Sequence, residues 1–513
     1  MPGTEYQYLL PLFLVLAAIL CRRFVSSKRG LPLPPGPPRR YITGNLHQLP
    51  TSQPWLKYAD WAKEHGPIIS LRVFHRTEII LNSAKAATDL LDARSLIYSD
   101  RPPSWMATLA GRARSVFLLS SAHPWFSRYR KMLHAGLSRR TAQAQAWRPA
   151  QELQLGVLIR GLAEKPEAFV GLIRTFVAST ALKIAYGYDV STDDDFFVTL
   201  IEDGANAMTK LIQPFFLIEI FPFLRFLPAW FPFARFKRVL QANRKMLDDI
   251  EIIPFEWAKN KIETGTHSDS FFSQYFVPSD SGSGHGPHGD EEREILKWTA
   301  GSIYGGGAHT TASAIASFFL FMSTHPTVQK RAQDEIDAHL CGAGRLLTLE
   351  DQKALPYVSA LIKEVLRSAP VAPLGLKHRV TQDDVYNGLF IPKGGTIIAN
   401  IWAIAHDDEV YPDPFAFDPT RHLGENPQRD PFDLVIGYGR RVCPGAALAE
   451  DTLFLAISNI LAAFTISKAL DGEGKETEPC VEWRTATVTF PLNLRCRIVP
   501  RSPDIIASLA VAQ

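Results

Sequence analysis

Apolar and polar residues alternate with a period of two over Ile68 to Val73 and Glu78 to Leu81, which predicts half-buried strands. From about Ala84 the spacing lengthens to that of helices and stays so for most of the chain. Two later stretches, Val385 to Ala399 and Thr485 to Arg497, are again strand-rich. The pattern predicts a mainly α protein with minor β, in a single body spanning 40–513. One long helix is expected to start after Asp290, with Glu291 and Glu292 in its first turn, and to end near Thr324, before His325-Pro326. Ser279 to Gly289, SDSGSGHGPHG, has the composition of a mobile surface loop.

The N-terminus departs from this pattern. Tyr6 to Cys21 is sixteen residues without a charge, followed by Arg22, Arg23, Lys28 and Arg29. A full span needs about 20 apolar residues; Phe24, Val25 and snorkelling arginines supply the difference. Positive charge after the run argues for an uncleaved anchor with the body on the cytosolic side. A buried core helix is the competing reading. Residues 1–25 are thus expected to form a transmembrane signal-anchor and 26–39 a basic, proline-rich hinge. Within it Leu31 to Pro38, LPLPPGPP, is expected to be an extended, stiff spacer. Phe221 to Lys237, FPFLRFLPAWFPFARFK, mixes aromatics with Arg225, Arg235 and Lys237. That mixture suits either a lipid headgroup layer or a helix-loop packed on the core.

Composition narrows the classes. The chain has 513 residues, 46% hydrophobic and 21% charged, enough to bury a sizeable core. A net charge of +3 is too mild to imply nucleic acid. Five scattered cysteines without a CxxC pair argue against a disulfide framework or zinc ribbon. There is no Asn-x-Ser/Thr sequon, so a reducing compartment is expected.

Cys443 lies in GYGRRVCPG, residues 437–445. Pro444 suits the first position of the apolar helix that follows, placing Cys443 at a helix N-terminus that favours a thiolate. Gly437, Gly439 and Gly445 let the backbone approach something flat and bulky, and Arg441 adds a fixed charge beside it. A cysteine phosphatase would need arginine where Ala449 stands, and a dithiol site a cysteine where Ala446 stands. A structural cysteine needs neither the glycines nor the arginines. What remains is a soft ligand to a metal within a macrocycle, with arginine neutralising its acidic side chains.

Two further stretches stand out. Glu364 and Arg367 share a helix face and form the chain's only Glu-x-x-Arg. Such a pair is commonly a solvated salt bridge, but Arg421 of FDPTRH stands ready to complete a charged triad. Gly305, Gly306 and Gly307 interrupt the long helix at about 1 kcal/mol each relative to alanine. They form no phosphate loop, lacking a preceding strand and a following lysine.

With these residues in view, IGYGRRVCPG resembles the haem-binding loop of the cytochrome P450 family, with Ile436 in place of the usual phenylalanine. KEVLR and PTRH resemble the family's structural core, and AGSIYGGGAHTTASAIAS its long distal helix. The resemblance implies the family's helical fold, haem b with Cys443 as axial iron ligand, and a structural rather than catalytic triad of Glu364, Arg367 and Arg421. It implies that Thr310 manages protons, with His309 in place of the usual acid. Arg441, Arg130 in WFSRYRKMLH, and His378 and Arg379 in LKHRV are the implied holders of the haem propionates. The family's tryptophan is displaced: Phe126 holds its place and Trp125 is one residue early.

The chain is also similar to fungal microsomal members that decorate small secondary metabolites. The resemblance implies a monooxygenase of the endoplasmic reticulum membrane, single-pass and facing the cytosol, acting on a small apolar substrate such as a terpenoid or indole scaffold. Electrons would come from NADPH through a separate flavin reductase, with Arg440 in the docking face. A haem-thiolate isomerase or dehydratase working without dioxygen, and a non-catalytic haem protein, are the alternatives.

Overall fold

The computed structural model describes residues 30–502 except 139–145, 191–194, 213–215, 232–233, 278–288, 343 and 481. The expected anchor therefore lies outside the described residues, as does nearly all of the 279–289 stretch. The longer helices are α1 (Pro54–His65), α2 (Pro124–Leu137), α3 (Arg148–Glu164), α4 (Phe169–Tyr186) and α5 (Phe196–Ile212). After them come α6 (Arg235–Glu263), α7 (Asp290–Thr324), α8 (Pro326–Leu340), α9 (Pro356–Ser368) and α10 (Ala446–Ala463).

The chain is mainly helical, and α7 is its axis. From Ala312 to Leu320 every residue of α7 is buried, so this stretch faces protein on all sides and must be wrapped by other elements. It packs against α4, α6 and α10. Phe318 and Phe319, fully buried there, each contribute roughly 1.5–3 kcal/mol by leaving water. Helix α10 is also buried along most of its length. It and Pro166–Tyr186 are long and apolar enough to cross a membrane, but both lie largely inside the fold.

Four strands form the main sheet: β1 (Ile68–Val73), β2 (Arg76–Leu81), β3 (His378–Arg379) and β6 (Thr396–Ala399), in the order β1-β2-β6-β3. Strand β2 pairs antiparallel with β1 and parallel with β6, and β3 is antiparallel to β6. Three two-stranded ribbons complete the β content: β4 (Asp384–Tyr386) with β5 (Leu389–Ile391), β8 (Glu482–Trp483) with β9 (Pro491–Leu492), and β7 (Phe464–Lys468) with β10 (Cys496–Pro500). The sheet matters for function because β3 runs beside residues 98–101: the Arg379 N–H donates to the Asp100 carbonyl at 2.8 Å.

One expectation changes. The proline run is extended, but it packs on the body. The Pro34 and Pro35 carbonyls accept from Ser70, the Pro32 carbonyl accepts from the Phe390 N–H, and Pro34 and Pro37 are buried. Proline has no N–H to leave unpaired, so a run of it can lie against a strand by offering carbonyls alone.

Phe221 to Lys237 divides between the two readings. Leu224, Ala234 and Phe236 join a buried cluster, whereas Phe223, Phe226 and Trp230 are 64%, 75% and 75% exposed. Arg225 stacks on Trp105 at 4.5 Å and on Phe226 at 4.7 Å.

Candidate functional site

The cysteine loop is a tight backbone turn. The Cys443 N–H donates to the Ile436 carbonyl at 2.9 Å, and the Gly439 N–H donates to Asp92 Oδ1 at 2.5 Å. Gly439 has φ +51°, and a Cβ there would sit 2.4 Å from the Leu91 carbonyl oxygen. Only glycine fits that approach. Helix α10 begins at Ala446 with Gly445 as its cap, so Pro444 precedes the helix instead of opening it. The Cys443 thiol is solvent-accessible, yet burial pushes its pKa above the ordinary thiol value, the Gly445 N–H and Arg130 countering only in part. The Gly445 N–H favours the thiolate, as expected of a helix terminus, but burial outweighs it. A thiolate at this position needs a cation close by, and a bound metal ion is one.

Beside the loop is a cluster of cationic side chains short of anions. Arg441 donates from Nε to the Ser99 carbonyl at 2.9 Å and from Nη2 to the Leu119 carbonyl at 2.5 Å, and stacks 4.3 Å over Phe126. Arg101 donates to the carbonyls of Phe117 (2.9 Å), Leu376 (2.8 Å) and Lys377 (2.7 Å). Burial and then mutual repulsion hold the Arg101 guanidinium down to about 9; burial holds Arg441 down to about 10. The His378 imidazole donates from Nδ1 to the Tyr98 carbonyl at 2.8 Å, and burial, then Arg101 and Arg441, push its pKa down to about 3. Arg130 donates to the Val442 carbonyl at 2.8 Å and lies close enough to Cys443 to interact with its charge. His378 is thus neutral at neutral pH; carbonyls hydrogen-bond the three arginines but do not neutralise them, and buried charge without a counter-charge is costly. The nearby carboxylate, Asp100, is ion-paired with Arg379.

The wall of the site on α7 is opened by glycine. Gly305 is exposed between the buried Tyr304 and the half-buried Gly306, and a Cβ on it would meet nothing within 4 Å. On Gly306 a Cβ would come 3.1 Å from Phe117 Cζ. The Thr310 hydroxyl donates to the Gly306 carbonyl at 2.8 Å, one turn back. His309 is half-buried, with its ring directed toward the Ile201 carbonyl of α5 and its Nε2 without a partner. Burial lowers its pKa, so the ring is neutral at neutral pH, and a proton that reaches its basic nitrogen is held weakly and readily passed on.

On α9, Arg367 grips Glu364 through Nε and Nη2, each at 2.8 Å, and Arg421 Nε reaches the same carboxylate at 3.2 Å. His422 adds a fourth contact from Nε2 at 3.0 Å. Arg367 also donates to the carbonyls of Ala405, Pro414 and Ala416, and Arg421 to those of Pro412, Asp413 and Ala416. The triad therefore pins the segment 405–422 that leads toward the cysteine loop.

The structure brings Cys443, Arg441, Arg130 and His378 together, and puts His309 and Thr310 on the glycine-opened stretch of α7. Arg379 differs from these in that its guanidinium is ion-paired, through Nε and Nη2, with Asp100. Trp125 donates to Glu291 and so ties α2 to the start of α7. Arg101 is the residue that sequence reasoning missed. A singular SDRPP segment, with a basic residue just before two prolines, was the available signal, but its partners at 376 and 377 are remote in sequence.

A planar group carrying two carboxylates on one edge and a metal ion at its centre fits this arrangement. The cationic cluster lacks just such anions, the thiol lacks a cation, and the glycines leave room on the side of α7. Haem has that chemistry, and Cys443 with the surrounding Arg101, Arg441, Arg130 and His378 are the residues present that would hold it.

Comparison with known proteins agrees. The family model for cytochrome P450 matches residues 34–487. The chain is 38% identical to cytochrome P450 monooxygenase claR of Ampulloclitocybe clavipes, over 92% of this chain and 87% of that one. It is 36% identical to cytochrome P450 monooxygenase 105 of Postia placenta, over 97% and 94% of the two chains. With cytochrome P450 monooxygenase ple1 of Rhodocybe pseudopiperita the identity is 37%, over 98% and 97%.

Proposed function

This chain belongs to the cytochrome P450 family and is a monooxygenase, and from that premise we propose that it hydroxylates a small apolar metabolite while anchored to the endoplasmic reticulum membrane. Electrons come from NADPH through a separate flavin reductase, and the substrate is a terpenoid or an indole-type aromatic scaffold. The observation that carries the reading is the pairing of Cys443 with a buried, anion-seeking cluster of Arg101 and Arg441.

When bound, haem supplies the redox-active iron at which dioxygen is activated. The protein's part is positioning. Arg101 and Arg441, fixed by their carbonyl contacts, present charge to the carboxylate edge without reorganising. Gly305 and Gly306 keep side chains away from the reacting face, and Phe117 forms an apolar wall there. Thr310 donates to Gly306, so its oxygen keeps lone pairs with which to accept a hydrogen bond; turned off that carbonyl, it becomes a donor. His309, neutral at rest, takes up a proton and hands it on. The exposed trio Phe223, Phe226 and Trp230, with Arg225 among them, supports contact of this face with lipid headgroups.

The test is turnover with a reductase, NADPH and isotopically labelled dioxygen, using a panel of terpenoid and indole scaffolds. One labelled oxygen atom per product is expected. Unlabelled product formed without dioxygen or NADPH would overturn the reading in favour of an isomerase or dehydratase.

A further inference from the structure

We propose that Glu202, ion-paired with Arg174, is the solvent end of the proton route that passes through His309; this rests on the monooxygenase reading above. Three separate elements bring charge to one imidazole. Helix α5 contributes the Ile201 carbonyl and, next in sequence, the Glu202 carboxylate; α4 contributes Arg174; the segment after β8 contributes Arg484. Arg174 and Glu202 pair at 3.7 Å, with side chains 35% and 41% exposed, so both are in contact with bulk water. Arg174 is also braced 4.9 Å over the Phe490 ring. His309, more buried than either, feels the charge of both, and its buried Nε2 has no partner.

A buried polar atom without a partner calls for an explanation, and an orphan acceptor behind a half-exposed carboxylate fits a proton relay. Glu202 takes a proton from water. It passes that proton to His309 Nε2: the carboxyl O–H breaks as the N–H forms, directly or across one water. The ring then turns about its Cβ–Cγ bond, the Nε2–H bond breaks as the proton passes on toward Thr310, the next residue on α7, and Glu202 reloads from solvent. No electron moves and no charge accumulates. The two arginines limit how long the imidazolium lasts, since both disfavour it, while the Glu202 charge favours it. Arg174 holds the carboxylate at the mouth of the route, and thus acts as a positioning residue.

The experiment uses the full chain loaded with haem, in detergent, reduced and bound to carbon monoxide so that it is diamagnetic. Histidine resonances are followed by NMR against pH, with His309 assigned by its loss in His309→Gln. Glu202→Gln is expected to lower the His309 midpoint by about half a pH unit or more. With the reductase present, it is also expected to raise peroxide released per NADPH several-fold, and Glu202→Asp to restore most of the coupling. An unmoved midpoint overturns the proposal, and so does a moved midpoint with unchanged peroxide. If His309→Ala itself leaves the peroxide yield unchanged, the role of His309 fails, whatever Glu202 does.

Discussion

Glu364 and Arg367 meet through two parallel hydrogen bonds of 2.8 Å, with neither side chain exposed to solvent. A carboxylate and a guanidinium sealed in this way are each costly alone, so the pair behaves as one unit. Removing one partner leaves the other charged and buried, at about 3–5 kcal/mol, against a total stability of about 5–15 kcal/mol. Glu364→Ala and Arg367→Leu are therefore expected to abolish soluble, haem-loaded protein. Arg367→Lys is expected to fail as well, since an ammonium cannot make the bidentate contact or reach the three carbonyls. Haem content per polypeptide checks this, and a stable, fully loaded Arg367→Lys protein would contradict it.

Two glycine substitutions are expected to act in opposite directions. In Gly439→Ala the new Cβ meets the Leu91 carbonyl at 2.4 Å in a left-handed conformation, so the cysteine loop shifts and haem retention falls. In Gly305→Ala the new Cβ meets nothing, and the helix gains up to about 1 kcal/mol. Urea unfolding midpoints of the two variants separate them; equal destabilisation would count against both statements.

Arg101 and Arg441 are expected to hold the cofactor's carboxylates through charge-assisted hydrogen bonds, each contributing about 1.5–3 kcal/mol. Arg101→Leu and Arg441→Leu should each release haem at least about tenfold faster, the equivalent of about 1.4 kcal/mol. Transfer of haem to an excess of an apo-globin measures the rate. Arg379→Leu should have a smaller effect, because its guanidinium serves Asp100.

Acid should destabilise the fold through His406. Its Nδ1 donates to the Trp402 carbonyl at 2.8 Å, its ring stacks on Trp402 at 4.4 Å, and burial above all lowers its pKa to about 4. The folded state thus binds the proton more weakly than the unfolded chain, whose histidines titrate near 6.5. Its stabilising contribution is complete above about pH 6.5 and falls toward pH 4, by up to about 1.4 kcal/mol per pH unit. Urea midpoints across that range should show a shallower decline in His406→Gln; an identical slope would contradict this assignment.

What could be read from sequence was whatever lay close together along the chain. The Glu364–Arg367 pair and the helix at 290–324 are encoded by neighbours along the chain, and the structure has them where expected; the loop around Cys443 is equally local, although its helix starts after Pro444 and not at it. Arg101 was not legible, because its meaning comes from Leu376 and Lys377, about 275 residues away and brought close by β3. The same holds for Arg379, whose pairing with Asp100 depends on the strand beside it, and for His422, which joins the triad only once 405–422 folds back on α9. The proline run was legible as an extended segment; its docking on Ser70 and Phe390 depends on sheet edges that no local pattern announces.

Among all these residues, the thiol at position 443 bears the central claim. Reducing the purified protein under carbon monoxide and recording its Soret band tests it most directly, with Cys443→Ser alongside. The expected result is a thiolate-type band in the wild-type protein that is absent in the serine variant. An unchanged thiolate-type band in Cys443→Ser would contradict the account.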